Sequence, residues 1–194
     1  MDNISVLQEY YKKDKISYNG EKFNFLITCG EINKDAFLNF IPDFERRGIW
    51  IQFVPCSYVL GIEIVEYALK LAVRDYLRGE NVAKKLNLQF CLRLFARTQV
   101  RDVLELLSRS NRWAVIVIIA RNDVEEILEE LVERGIITSF VECDKCAGNL
   151  GEILSIYDVP LDYVSTLSKM RGERMDSVGI KVVMEKIATV FLWK

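Results

Sequence analysis

The sequence predicts an α/β or α+β fold, a mixed sheet with several packed helices, and three observations carry this. Trp113–Ala120 (WAVIVIIA) is a continuous apolar, largely β-branched run, as expected of a central strand covered on both faces. After it, Val124, Ile127, Leu128, Leu131 and Val132 recur at helical spacing and make one apolar face. Strand-like and helix-like segments alternate through the chain and a helical cluster closes it. With 194 residues and no repeat, low-complexity tract or linker, a single domain over 1–194 is expected.

The elements follow in order. Residues 1–13 read as a short amphipathic helix through Ile4, Leu7, Tyr10 and Tyr11, before a polar turn ending at Asn19-Gly20. Residues 23–28 are a strand. Residues 32–44 are a helix through Phe37, Phe40, Ile41 and Phe44, which Pro42 ends or kinks. Residues 49–54 form a second strand, closed by Pro55. Between Gly61 and Leu107 lie two helical patterns joined at Gly79-Glu80-Asn81. In the first, Glu63, Glu66, Lys70, Arg74 and Arg78 form a narrow polar stripe on an apolar body, so that helix must be packed around most of its circumference. In the second, Arg93, Arg97 and Arg101 stand four apart, which on one helix stacks three guanidinium groups in a column. Lys84 and Lys85 add two cations in the connection.

Asn122-Asp-Val-Glu125 reads as a helix start with a capping box, Gly135 as its stop, and residues 136–141 as a strand. Residues 142–157 are the least regular. Pro160 opens a helix to about Met170, a polar turn covers 171–174, residues 177–187 are helical, and a strand near 189–193 ends the chain.

Charge is distributed unevenly. Net charge is only -2, yet residues 70–112 hold ten Lys/Arg against four Asp/Glu, while residues 123–158 hold two against ten. A basic middle of this kind points to a localised anionic partner, with solvated helix faces as the plainer explanation. No apolar window reaches the roughly 18 residues of a membrane span, and the start MDNIS lacks the features of a signal peptide, so a cytoplasmic protein with no membrane partner is expected.

Histidine is absent, which excludes Ser-His-Asp triads, Cys-His dyads, His-ligated zinc and imidazole acid–base catalysis. Neither phosphate-binding glycine motif occurs. Asp14, Asp43, Asp75, Asp102, Glu66 and Glu105 each have a Lys or Arg within one turn and read as surface pairs, and Glu125, Glu126, Glu129, Glu130 and Glu133 as the outward face of one helix. The five cysteines read as reduced thiols. Cys143-Asp-Lys-Cys146 has half the spacing of a zinc site but no second half, and reads as an incidental pair or a disulfide across a surface loop. The expectation is a non-enzyme with no cofactor, no metal and no small-molecule substrate.

The segment Leu-Gln-Phe-Cys-Leu-Arg-Leu-Phe-Ala-Arg-Thr-Gln-Val (88–100), preceded by an alanine-containing apolar helix and a basic turn, resembles the small kinase-binding regulatory subunit of the KEOPS complex, the PRPK-binding proteins. Gln99 and Val100 match the family's Gln-Ile/Val ending, Arg97-Thr98 supplies the polar pair before it, and Gln89 stands where the family carries a glutamate. The likeness extends over about two thirds of the chain, through residues 113–120, the helix after them and residues 181–192, and departs around 138–158, which looks like an insertion. The resemblance implies a non-catalytic subunit in tRNA threonylcarbamoyladenosine modification. Such a subunit binds and stimulates an atypical kinase/ATPase and binds the tRNA 3′ CCA end. On this reading Arg74, Lys84, Lys85, Arg93, Arg97, Gln99 and Arg101 face tRNA, and Val178, Val182, Val183 and Met184 face the kinase. A free-standing adaptor that binds an acidic protein, and an α/β enzyme using carboxylate or thiol chemistry, are the alternatives.

Overall fold

In a computed structural model, which describes residues 10–108 and 112–192, the chain is a mixed α/β protein. Its elements are β1 (Tyr11–Tyr18), β2 (Glu21–Ile32), α1 (Lys34–Arg46), β3 (Trp50–Pro55), α2 (Ile62–Arg78), α3 (Leu86–Leu94), α4 (Val100–Ser108), β4 (Trp113–Ala120), α5 (Val124–Glu133), β5 (Ile137–Phe140), α6 (Leu150–Ile156), α7 (Leu161–Arg171) and α8 (Met175–Thr189). Short 3-10 turns cover Cys56–Tyr58 and Cys143–Lys145. Two compact units emerge, one drawn from Met1–Cys56 and Ser110–Cys146, the other from Ser57–Arg109 and Ala147–Lys194.

The first unit holds the sheet, in the order β1-β2-β4-β3, with β5 also on β2. β2 is long enough to take β1 along residues 21–28 and β5 along residues 30–32 of the same edge, while β4 runs along its other edge. Every ladder is antiparallel, so the expected mixed sheet is corrected to an antiparallel one. The β-branched run of β4 is central and buried on both faces, as its composition demands. On one face Leu26, Ile51, Ala114, Ile116 and Ile118 pack with Phe44 of α1 and Val124, Ile127, Leu128 and Leu131 of α5. Each of these large side chains contributes about 1.5–3 kcal/mol by leaving water. Asp123 caps α5 by accepting from the Glu125 N–H at 2.9 Å, one residue after the Asn122 of the expected capping box, and Gly135 at φ 65° ends the segment as expected. At Gly30 the β2 and β5 backbones approach so closely that a Cβ would collide with the Ser139 carbonyl.

Four local expectations are overturned. Residues 11–18, assigned to a helix and a polar turn, form β1; residues 1–9 of that assignment lie outside the described residues. Tyr11, Lys13, Lys15 and Ser17 alternate against β2, and the cross-strand ladder wins over a weak helical stripe. Pro42 sits inside α1, which runs on to Arg46 and does not end there. The irregular stretch 142–157 contains α6, whose Asn149 accepts from the N–H groups of Gly151 and Glu152. No strand closes the chain among the described residues: α8 runs through Thr189, and Trp193 lies outside them.

The second unit is helical. α2 buries Ile64, Val65, Ala68, Leu69, Leu71, Ala72 and Val73, as its narrow polar stripe requires. Gly79, at φ 71°, closes it with Glu80 N donating to Asp75 O and Gly79 N to Tyr76 O. No helix among the described residues is long and apolar enough to cross a membrane.

Candidate functional site

The expected arginine column does not form. α3 stops at Leu94, and Ala96 turns into the left-handed region at φ 48°. Arg97 N then donates to Leu92 O at 2.9 Å and Ala96 N to Arg93 O at 3.0 Å, closing the helix in a Schellman arrangement. α4 starts afresh at Val100, so Arg93, Arg97 and Arg101 belong to three different local structures. The Leu94 carbonyl left over at the helix end accepts from the Tyr157 hydroxyl at 2.5 Å, and burial pushes that phenol above its ordinary range.

Arg93 points inward and is 6% exposed. Its Nε and Nη2 bond Asp75 Oδ2 and Oδ1 at 2.6 and 2.8 Å, and its Nη1 donates to the carbonyls of Ile187 and Ala188 at the end of α8. The guanidinium also lies 4.3 Å from the ring centre of Phe191. Asp75, expected on the surface, is 2% exposed. Gln89, fully buried, completes the group. Its amide nitrogen donates to Asp75 Oδ2 at 2.9 Å, and its amide oxygen accepts from the Val82 and Ala83 N–H groups at 2.9 and 3.1 Å. An amide is required there, because the position must donate to a carboxylate and accept from backbone at once.

The remaining cations and Gln99 are placed differently. Arg74, Lys84, Lys85, Gln99 and Arg101 are exposed. Arg97 is half-buried, with one nitrogen bonding Asp158 at 3.0 Å and another the Ile156 carbonyl at the end of α6. Lys84 and Lys85 precede α3 while Arg97, Gln99 and Arg101 follow it, so the helix separates the two groups by about 13 Å along its axis. Arg93 is therefore removed from the set available to an anion; Arg74 lies on α2, and the rest flank α3 at its two ends.

The expected docking set also divides. Val178 and Val183 are fully buried core residues of the second unit, corrected from the surface role assigned to them. Gly179 beside them is small because a Cβ would meet Leu150 Cδ1 at 2.6 Å. Met184 is half-buried. Val182 is half-buried and lines a groove of about 450 Å³ with Val159, Pro160, Tyr163, Lys186 and Thr189. Tyr163 is 52% exposed, the feature of this groove that helical spacing alone does not single out.

The cysteines depart from the reduced state expected. Cys56 and Cys146 form a disulfide across a separation of 90 residues, and Cys29, Cys91 and Cys143 are free. The carboxylates do not converge: among the described residues no group of three or more acidic or cysteine side chains is arranged to hold a metal ion. Glu125 of the acidic α5 face instead accepts from Tyr11 and Lys13 of β1, and Glu130 pairs with Arg47 and Arg134. No protein-family model matches this chain, and no curated protein matches it.

Proposed function

We propose that the chain is a non-catalytic subunit of a KEOPS-type assembly for tRNA threonylcarbamoylation. It docks on the atypical kinase/ATPase subunit, stimulates it, and contacts the tRNA 3′ CCA end. One observation supports this most. Residues 89–95, within the stretch that carries the resemblance, are buried in the second unit, while Lys84, Lys85, Gln99 and Arg101 flank them at exposed positions. Exposed cations suit phosphate neutralisation. The groove at Val182 and Tyr163 has the mixed apolar and aromatic lining of a protein contact and serves as the kinase-facing surface in this reading.

The test is co-expression with the kinase subunit followed by gel filtration, and binding of tRNA with and without its CCA end. Co-elution, lost in Val182→Glu, and a preference for intact tRNA are expected. Failure to co-elute together with no tRNA binding would remove the assignment. Binding of an acidic protein but not tRNA would favour an adaptor instead.

A further inference from the structure

Four of the five cysteines lie near one end of the sheet in the first unit, as the pairs Cys56–Cys146 and Cys29–Cys143. Cys29 of β2 stands opposite Val115 of β4, and Pro55 of β3 stands opposite the adjacent Ala114, with Cys56 following directly. Val141 N donates to the Cys29 carbonyl at 2.9 Å, which draws the Cys143–Lys145 turn against β2. Cys146 caps this turn, its N–H donating to the Cys143 carbonyl at 3.0 Å, which holds the two backbones close. Cys146 is bonded to Cys56, while the Cys143 thiol donates to the Tyr10 carbonyl at 4.0 Å and lies against the Cys29 side chain. The Cα spacing of about 6 Å across such a turn lies within the reach of a disulfide, so Cys143 can also bond Cys146.

The four cysteines differ in exposure and chemistry. Cys29 is fully buried and Cys146 is 2% exposed, while Cys56 and Cys143 are half-buried. The hydrogen bond from Cys29 holds the Cys143 thiol below its ordinary range; that bond and burial hold Cys29 above its own. Cys143, half-buried where Cys29 is fully enclosed, is the readier nucleophile. Beside the disulfide is an open pocket of about 340 Å³ lined by Cys56, Cys146, Trp113, Val141 and Lys145. Cys56 and Cys146 are also the last residues of this unit before the chain passes into the other.

We propose that Cys29, Cys56, Cys143 and Cys146 form a thiol–disulfide exchange centre whose external partner is a small-molecule thiol. Cys143 loses its proton to solvent and its thiolate attacks Cys146 Sγ. The Cys56–Cys146 bond breaks, Cys143–Cys146 forms, and Cys56 leaves as a thiolate that takes up a proton, with no net oxidation. A small thiolate then attacks Cys143 at the exposed turn, giving a mixed disulfide and expelling Cys146. A second small thiol attacks the outer sulfur and releases Cys143, so two electrons pass and one small-molecule disulfide leaves. Cys29 is a positioning residue that stabilises the Cys143 thiolate.

The experiment equilibrates the full chain in reduced/oxidised glutathione mixtures, quenches in acid, labels free thiols and maps disulfides by mass spectrometry. Both Cys56–Cys146 and Cys143–Cys146 are expected in the wild type, and Cys143–Cys146 alone in Cys56→Ser. Cys143→Ser should keep Cys56–Cys146 and be reduced about tenfold more slowly. Cys29→Ala should raise the pH midpoint of Cys143 alkylation, which a purely structural role would leave in place. Absence of Cys143–Cys146 from both wild type and Cys56→Ser overturns the proposal, as does reduction of Cys143→Ser at the wild-type rate. Uptake of one zinc by the reduced chain, protecting all four thiols from alkylation, overturns it in favour of a metal site. The wild-type map decides by itself if a variant fails to fold.

Discussion

Arg93 and Asp75 are joined by two parallel hydrogen bonds of 2.6 and 2.8 Å within the second unit, at side-chain exposures of 7% and 3%. Removing one member leaves the other charge buried and unpaired. Asp75→Ala and Arg93→Ala should therefore each destabilise the fold by about 3–5 kcal/mol, read by urea denaturation. The double replacement Asp75→Leu/Arg93→Met should recover most of that loss. If Arg93→Ala unfolds at the wild-type urea midpoint, the buried pair is not holding α3 against α2 and α8.

Gln89→Glu should be more harmful than its near-identical size suggests. It removes the donor to Asp75 and sets a second carboxylate against the first, a cost of about 2–4 kcal/mol at neutral pH. Protonating one carboxyl relieves the repulsion, so the deficit relative to wild type should shrink as pH falls from 7 towards 5. A deficit that stays constant over that range would mean packing, and not charge, is at fault.

Ala96 holds a left-handed conformation at φ 48° without being glycine. Ala96→Gly should stabilise the second unit by about 0.5–1 kcal/mol, since relief of the Cβ strain outweighs the added freedom of the unfolded chain. A lower melting temperature in this variant would show that the turn is not strained at Ala96.

Tyr11 and Lys13 of β1 both donate to Glu125 of α5. The Lys13 hydrogen bond, then that of Tyr11, hold the Glu125 carboxyl below its usual 4.5, and the Glu125 hydrogen bond holds Lys13 above its usual 10.5. A lowered carboxyl pKa contributes stability above the unfolded value and loses it as pH falls through the folded one. A raised amine pKa contributes below its unfolded value and loses it as pH rises through the folded one. The pair should thus support the fold between about pH 4.5 and 10.5 by at most about 1 kcal/mol, screened by salt. Lys13→Met should flatten the acid limb of a stability–pH curve, and an unchanged limb would discount the pair.

Lys84→Glu/Lys85→Glu and Arg101→Glu test the anionic surface without touching the buried network. Each phosphate that is no longer neutralised should lower the salt slope of tRNA binding by about 0.7–0.9, with the melting temperature unchanged. Arg97→Glu should lose stability as well, because Arg97 also binds Asp158 and the Ile156 carbonyl. Wild-type affinity and slope in both exposed-cation variants would place the tRNA-binding surface elsewhere.

Periodicity and composition by themselves determined the α/β class, the central strand Trp113–Ala120, and the helices Ile62–Arg78, Val124–Glu133 and Leu161–Arg171. These depend on neighbours a few residues apart, where side-chain spacing and backbone geometry are tied together. Tertiary structure alone decided the direction of the ladders, the pairing of Cys56 with Cys146, and which arginine lies inside. Four-residue spacing makes Arg93, Arg97 and Arg101 equivalent only if one helix carries all three. Asp75 lies 18 positions before Arg93 and Ile187 94 positions after it, and such partners leave no local signal. Burial of a charge is set by what surrounds it in space, so Arg93 became a core residue while Lys84 and Arg101 stayed in solvent.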